Sequence, residues 1–273
     1  MAGQQPRSGS DDIWNSNAQP WERDLSSRIY LRHRWSHRGV LHRAAVRLAN
    51  RLLWQVPFSV KYSIGMLRSR GAFPYCLLQE GDVAVQVGAP HDTLRAGRSR
   101  AVYLGLCVGR AGRVVVIEPD PQSTAALRSL AQKRDLPQLE VVACGAWSSQ
   151  GQLKLYVDPD HPATNFTEST ADYSRDDLGR FRAETVEVDT VDNILGRLNI
   201  ARVKLVSITT NGAEREIIAG MAGTLDRGVP YLALARTDPG HESFVASLGY
   251  ERLAFDDRGY TFGKSRSAHP EKE

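Results

Sequence analysis

The distribution of apolar residues beyond residue 80 indicates which parts of the chain form strands and which form helices. Short runs of consecutive apolar residues are typical of strands buried on both faces, and apolar residues at helical spacing are typical of amphipathic helices. The runs are Asp82–Val87, Arg113–Glu118, Leu139–Cys144, Val203–Ile208 and Tyr231–Arg236, and the helical segments are Arg98–Gly109, Gln122–Arg134, Ala213–Leu225 and His241–Leu248. Their alternation predicts an α/β protein with a doubly wound, mostly parallel sheet.

Four further segments extend this picture. Glu251–Phe255 and Gly259–Lys264 flank the turn DDR, which predicts a terminal antiparallel hairpin. Gln152–Val157 and the alternating Glu184–Asp192 predict additional or edge strands. The polar stretch between them, residues 158–182, is expected to form a loop near the ligand face of the sheet.

The amino-terminal part of the chain is basic. Through Cys76 there are twelve Lys or Arg against four Asp or Glu, a net charge of +8, which leaves −4 for the rest of a chain whose total is +4. In Val40–Trp54, Arg43, Arg47 and Arg51 lie opposite a stripe of Leu and Ala, which predicts an amphipathic helix. Such a helix could meet an anionic membrane surface or nucleic acid, or it could pack its leucines against the main domain.

Composition and breaks in the pattern suggest a division of the chain. We expect a disordered lead at 1–20, a basic helical extension at 21–78, the α/β domain at 79–263 and a disordered tail at 264–273. Three cysteines without CxxC spacing favour reduced thiols and no metal site. No apolar run approaches the roughly twenty residues that cross a bilayer. A cytoplasmic protein, at most peripheral to a membrane, is therefore expected.

Ligands of such a sheet bind beyond the carboxyl ends of its strands. After the first strand, Gly88 and Ala89 lack bulk, so a ligand can approach the backbone closely. After the second strand, Glu118 and Pro119 follow, and a carboxylate at this place can accept both hydroxyls of a ribose. The two strand ends together predict a nucleoside-cofactor site.

The next two strand ends supply further candidates. Ala146 follows the third strand and leaves room for a flat base, with Trp147 as a lid or as a core residue. After the fourth strand, Thr209 and Asn211 are expected to point into the crevice that holds Glu118. Asn211, followed three residues later by a glutamate, is equally a capping box that starts the next helix.

Five segments in this order resemble the FkbM-type family of S-adenosylmethionine-dependent methyltransferases. They are GDVAVQVGAPHD, GRVVVIEPDPQSTAALRSL, LEVVACGAWSSQGQLKLYV, VEVDTVDNIL and VKLVSITTNGAEREIIAGM. The resemblance implies a Rossmann-like class I methyltransferase fold with a seven-stranded sheet, S-adenosylmethionine as cofactor, and O-methylation of a sugar or other hydroxylated molecule. It also implies that Gly88 and Ala89 line the methionine part of the cofactor, that Glu118 binds its ribose, and that Asp192 supports the sheet.

The chain departs from the family pattern at its charged positions. The family has Asp at the position of Gln86, and Lys, Asp and Glu where this chain has Ser207, Thr209 and Asn211. Gln86 can accept a hydrogen bond from an ammonium group but supplies no charge, and charge-assisted bonds are about twice as strong as neutral ones. The substitutions raise the alternative of a catalytically degenerate binding or scaffolding protein.

Methyl transfer to a hydroxyl group is helped by a base that removes its proton. His91 and Asp92 are the candidates that could replace the missing acids, and Asn211 is a third catalytic candidate. Arg95, Arg98 and Arg100 could attract an anionic acceptor or could be solvated. A nucleic-acid methyltransferase is a less favoured hypothesis, which the basic amino-terminal part motivates, and a nicotinamide-dependent oxidoreductase lacks its three-glycine fingerprint.

Overall fold

The computed structural model describes residues 55–157, 166–167, 181–210, 212–235 and 239–265. The predicted helix at 40–54, the lead at 1–20, Asn211 and nearly all of the predicted loop at 158–182 lie outside the described residues, as do residues 266–273 of the predicted tail. The division into an extension and an α/β domain stays a prediction.

Most described strands belong to one sheet. The strands are β1 Val83–Val87, β2 Arg113–Ile117, β3 Leu139–Val142, β4 Gly145–Ala146, β5 Gly151–Val157, β6 Phe166–Thr167, β7 Arg182–Asp189, β8 Leu205–Ile208, β9 Tyr231–Leu234, β10 Tyr250–Phe255 and β11 Tyr260–Lys264. Seven of them form a sheet in the order β10-β11-β9-β8-β1-β2-β3. Within it β11 runs antiparallel to both of its neighbours, and the remaining pairings are parallel. The predicted doubly wound sheet with a terminal hairpin is confirmed.

The helices cover both faces of this sheet. They are α1 Phe58–Ser69, α2 His91–Arg95, α3 Arg100–Val108, α4 Pro121–Lys133, α5 Val191–Arg197, α6 Glu214–Ala219, α7 Ala222–Asp226 and α8 Pro239–Ser247. Apolar residues of α1 to α4 share a core with Ala84 and Val114, whereas those of α5 to α8 share a second core with Val85 and Val115. Neighbouring residues of a strand point to opposite faces, so the central strands are mostly apolar on both faces, with Gln86 in β1 and Ser207 in β8 as buried polar exceptions.

One predicted helix differs from its expectation. The segment from Ala213 to Leu225 is two short helices, α6 and α7, with a break at Gly220. A Cβ on Gly220 would lie 1.9 Å from the carbonyl oxygen of Trp147, so the chain after β4 contacts the backbone there directly. Sequence periodicity does not report this contact because the two residues are far apart along the chain.

Of the two alternatives predicted for Gln152–Val157 and Glu184–Asp192, additional strands or edge strands, the structure shows additional strands. β4, β7, β5 and β6 form a separate four-stranded sheet. β5 and β7 pair antiparallel along their whole lengths, and Leu155, Val157, Val186 and Val188 form a small apolar cluster of their own. The alternation of apolar and polar residues in β7 reflects one covered and one exposed face.

Candidate functional site

The carboxyl end of β1 is joined to the end of β8 by a group of hydrogen bonds around Gln86. Its Nε2 donates to the carbonyl of Val87 at 3.0 Å, to that of Gly88 at 2.8 Å and to Oγ1 of Thr209 at 2.7 Å. The two carbonyls can only accept, so they fix the orientation of the amide. Gln86 is fully buried, and its Oε1 has no hydrogen-bond partner among the described residues.

Gly88 allows the loop after β1 to pass close to β8. Its φ is +84°, and a Cβ at this position would lie 2.5 Å from the carbonyl oxygen of Thr209. Both the backbone conformation and the short approach therefore require glycine. Without side-chain bulk, the loop leaves its next amide, that of Ala89, directed at the end of β2.

Glu118, the residue that follows β2, receives that amide. Its Oε2 accepts from the N–H of Ala89 at 2.6 Å, and its Oε1 accepts from the N–H of Asp120 at 2.9 Å. The side chain is buried, with 5% of its surface exposed. The structure thus brings Glu118 and the loop Gly88–Ala89 together at one edge.

His91 follows the loop that contains Gly88 and Ala89 and is the first residue of α2. Its N–H donates to Oγ of Ser123 at 3.1 Å, and its Nδ1 lies 3.4 Å from the same oxygen. Ser123 in turn donates to Asp120, the residue that caps α4. His91 is 9% exposed and packs at the start of α4. The side chain of Asp92 is outside the described part of the structure, so the catalytic roles of both residues stay predictions.

Asp120 is a site residue that the sequence reading did not single out. Its Oδ2 accepts from the N–H of Ser123 at 2.8 Å, and Ser123 in turn accepts from the N–H of His91, so Asp120 is connected through Ser123 to the start of α2. The signal was present in the sequence as an acid directly before Pro121, because aspartate favours the N-cap and proline the first helical position.

The end of β3 leads into β4, which approaches the end of β2. A Cβ on Gly145 would lie 3.7 Å from Cβ of Pro119, and Ala146 is buried in the main core. Trp147 packs against the apolar cluster of the four-stranded sheet. Its backbone N–H donates to the carbonyl of Asp189 at 2.9 Å. These contacts give Trp147 a packing role, and its role as a lid over a cofactor stays a prediction.

The sequence suggested that Arg100 could attract an anionic acceptor, but its guanidinium is buried and forms ion pairs within the protein. Its guanidinium pairs with Asp256 at 2.6 Å and with Asp257, both in the turn between β10 and β11. It also donates to Oγ of Ser207 at 3.2 Å. Although burial disfavours its charge, the two carboxylates hold the pKa of Arg100 well above its ordinary value. Tyr75 donates to Asp257 at 2.8 Å and closes the group.

Glu214, at the start of α6, is a second buried charged residue at this edge of the sheet. The sequence predicted it only as part of the capping box with Asn211. It is fully buried, accepts from Oγ1 of Thr210 at 3.1 Å, and its Oε2 lies 3.9 Å from Nε2 of His241. Burial raises the pKa of this carboxyl, although backbone N–H groups and His241 act in the opposite direction. The residue at the N-cap position of α6 is Ala213, so the predicted cap at Asn211 is not where the helix begins.

Asp192 connects two helices through its side chain. Its carboxylate accepts from the N–H groups of Gly223 at 2.8 Å and Thr224 at 2.6 Å, in the first turn of α7. Asp192 itself lies in the first turn of α5, so these bonds connect α7 to α5. The structure gives Asp192 a capping role, and its support of the sheet stays a prediction.

The residues around Gly88 fit a nucleoside cofactor such as S-adenosylmethionine. Glu118 supplies a carboxylate for a ribose diol, the loop Gly88–Ala89 allows close approach, and Oε1 of Gln86 is a buried acceptor that an ammonium group could satisfy.

The described residues contain no cluster of three or more His, Cys, Asp or Glu side chains able to hold a metal ion. None of the described helices is long and apolar enough to cross a membrane.

Comparison with known proteins finds one family and several solved structures that are similar to this chain. The Methyltransferase FkbM domain matches residues 86–262. Methyltransferase FkbM from Methylobacillus flagellatus KT has 17% identity and a TM-score of 0.44, over 80% of this chain and 59% of that chain. A SAM dependent methyltransferase from Aquifex aeolicus has 15% identity and a TM-score of 0.37, over 76% of this chain and 91% of that chain. A search of curated proteins finds no match.

The family match covers more than half of the chain and includes the end of β1, all of β2 and β8, and the loops that follow these strands. The site described above lies within it from Gln86 onward. The chain belongs to the FkbM methyltransferase family.

Proposed function

We propose that the protein transfers a methyl group from S-adenosylmethionine to a hydroxyl group of a small molecule or glycan. The observation that carries the proposal is the 2.6 Å hydrogen bond that Glu118 accepts from the N–H of Ala89. It lies beside Gly88, where the backbone conformation and the short approach to Thr209 require glycine. The hydrogen bond places a carboxylate, the group that accepts the hydroxyls of a ribose in such sites, next to a loop without side-chain bulk. Both lie at the carboxyl edge of a parallel sheet, where nucleoside cofactors bind.

The bound cofactor supplies an electrophilic methyl group, so the protein has mainly to bind and to orient. Glu118 would hold the ribose hydroxyls. Oε1 of Gln86, the acceptor that lacks a described partner, would accept a hydrogen bond from the cofactor's ammonium group. Ala146 and Pro119 would border the base, because β4 approaches the end of β2 at that place.

The proton of the acceptor hydroxyl needs a base in this proposal. His91 and Asp92 are the candidates from the sequence. Glu214 beside His241 is another, since the two follow β8 and β9 at the same edge of the sheet and a buried carboxyl with a raised pKa suits general base chemistry. Replacing Glu214 with Gln would then lower the rate of methyl transfer without weakening cofactor binding.

Calorimetric titration with S-adenosylhomocysteine tests the proposal without knowledge of the acceptor. We expect binding by the full chain, and about a tenfold or greater loss in Glu118→Gln, since a charged acceptor becomes a neutral amide. Glu187→Gln is the matched control, because Glu187 is an exposed residue of β7 that accepts from Gln152. Absence of binding at roughly 1 mM ligand would exclude the proposal.

A catalytically degenerate binding protein is the second candidate, and one observation favours it. The amide donors of Gln86 are used within the protein, on Val87, Gly88 and Thr209, so this position offers a ligand no charge. Incubation of cell extract with the protein and S-adenosylmethionine labelled on its methyl group separates the two. Transfer of label supports the enzyme, whereas binding of S-adenosylhomocysteine without any transfer supports the degenerate protein.

A further inference from the structure

Helix α1 is apolar on two opposite sides. Its inner side packs into the core of the domain through Tyr62, which is 2% exposed, and through Phe58 and Met66. Its outer side presents Val60 and Ile64, which are 44% and 56% exposed. A helix on the surface of a globular domain normally shows polar residues on its outer side, so this outer face is unusual.

The exposed apolar residues of the described chain are concentrated on this face. The four large hydrophobic side chains that are exposed are Val60, Ile64, Leu67 and Leu253, and Leu67 is the most exposed at 83%. The first three are spaced i, i+4 and i+7, which places them in one stripe along α1. Single exposed hydrophobic residues are normal, but a contiguous stripe marks an interaction surface.

The composition of the sequence segment that contains α1 indicates what kind of partner fits the stripe. Residues 25–79, which include α1 in its entirety, contain ten Lys or Arg and no Asp or Glu. An apolar stripe in a segment without acids combines the two features of a helix that binds anionic lipid: side chains that enter the acyl boundary and cations that meet headgroups.

We infer that the outer face of α1 docks on an anionic lipid surface, with Val60, Ile64 and Leu67 inserted at the boundary between headgroups and acyl chains. The helix has twelve residues and is about 18 Å long, so it lies along the surface. A nucleic acid would use the cations but would leave the three aliphatic side chains in water. A second copy of the chain would bring two strongly basic segments together, which repel each other.

The position of α1 relates this docking to the site. The hydroxyl of Tyr62 donates to the carbonyl of Leu94 in α2 at 3.3 Å, and α2 follows the loop that contains Gly88. A Cβ on Gly97 would lie 2.7 Å from Cβ of Lys61. The docked helix therefore lies beside the elements that form the carboxyl edge of the sheet, and an acceptor carried in the lipid surface would be near it.

Vesicle co-sedimentation of the full chain tests the inference. We expect binding to vesicles of phosphatidylcholine mixed with phosphatidylglycerol, little binding to phosphatidylcholine alone, and weakening in high salt. The double variant Ile64→Ser, Leu67→Ser should bind anionic vesicles about tenfold or more weakly, because two inserted aliphatic side chains are removed. Leu253→Ser is the matched control, since Leu253 is 47% exposed on β10 and should leave binding unchanged.

Several results would overturn the inference. The first three are no binding to anionic vesicles, unchanged vesicle binding by the double variant, and a loss of vesicle binding in Leu253→Ser as large as that in the double variant. The fourth is that the parent protein is a dimer and the double variant is a monomer. Salt-dependent binding to RNA or DNA in place of vesicles would instead assign the cations to nucleic acid. The titration with S-adenosylhomocysteine is independent of this experiment, so either proposal can fail while the other stands.

Discussion

Gln86 of β1 donates a 2.7 Å hydrogen bond from Nε2 to Oγ1 of Thr209, directly beyond β8. β1 and β8 are neighbours in the sheet, and the chain connections diverge between them, to β2 and β3 on one side and to β9 on the other. This is the switch point at which α/β sheets bind ligands. An amide and a hydroxyl join the two strand ends here, so the link itself carries no charge.

The link between Gln86 and Thr209 predicts a measurable coupling. Gln86→Met and Thr209→Val each remove one partner, and the double variant should be more stable than the sum of the two losses by about 1 kcal/mol. Urea unfolding of the four proteins measures this difference. Strictly additive losses would show that the bond does not contribute to the free energy of unfolding.

Gly88→Ala should destabilise the protein and abolish binding of S-adenosylhomocysteine. The new methyl group would lie 2.5 Å from the carbonyl oxygen of Thr209, in a backbone conformation with positive φ. Gly228→Ala is the control, because Gly228 has a φ of +91° but no atom within 4 Å of the added Cβ. Gly228→Ala should cost only the backbone strain, about 1 kcal/mol. Equal losses in both variants would show that the approach to Thr209 is unimportant.

Gly220→Ala should be among the most destabilising small substitutions. The added Cβ would lie 1.9 Å from the carbonyl oxygen of Trp147, so α6 and the segment after β4 must separate. Gly196→Ala in α5 is the control, since nothing lies within 4 Å of its added Cβ. Alanine there should raise stability by roughly 0.5–1 kcal/mol, because glycine disfavours a helix interior. The two melting temperatures should therefore move in opposite directions.

Arg100→Met should destabilise the protein by about 3–5 kcal/mol, because it leaves Asp256 and Asp257 without their buried cation. Arg110→Met removes a cation of the same type from an exposed pair with Asp135 and should change stability far less. Denaturant unfolding at neutral pH compares the two. Similar effects would mean that the buried group around Arg100 is not a significant source of stability.

The buried carboxyl of Glu214 predicts a pH dependence of stability. Burial raises its pKa above the ordinary value of 4.5, so the folded protein binds the proton more tightly than the unfolded chain. The stabilisation is complete below that ordinary value and is lost as the pH rises through the higher folded-state pKa. Glu214→Gln cannot titrate, so its stability relative to the parent protein should increase with pH across this window. A constant difference between pH 4 and roughly 8 would contradict the prediction.

The sequence by itself determined the alternation of strands and helices. Runs such as Val83–Val87 are apolar at every position except Gln86 because both faces of the sheet are covered, and this is a local property of the chain. The same logic placed Gly88 and Glu118 at one edge, since parallel strands all end on the same side of the sheet. The predicted helix boundaries differ from the observed ones by one or two residues, because capping residues such as Asp120 determine where a helix begins.

Only the tertiary structure decided which distant groups meet. Arg100 finds its partners in Asp256 and Asp257, and Gly220 is pressed against the carbonyl of Trp147. It also decided that, among the described residues, Val60, Ile64 and Leu67 of α1 are exposed while Tyr62 on the other side of the helix is buried. Periodicity describes only neighbours along a strand or helix, whereas these contacts depend on how the elements pack across long separations in sequence.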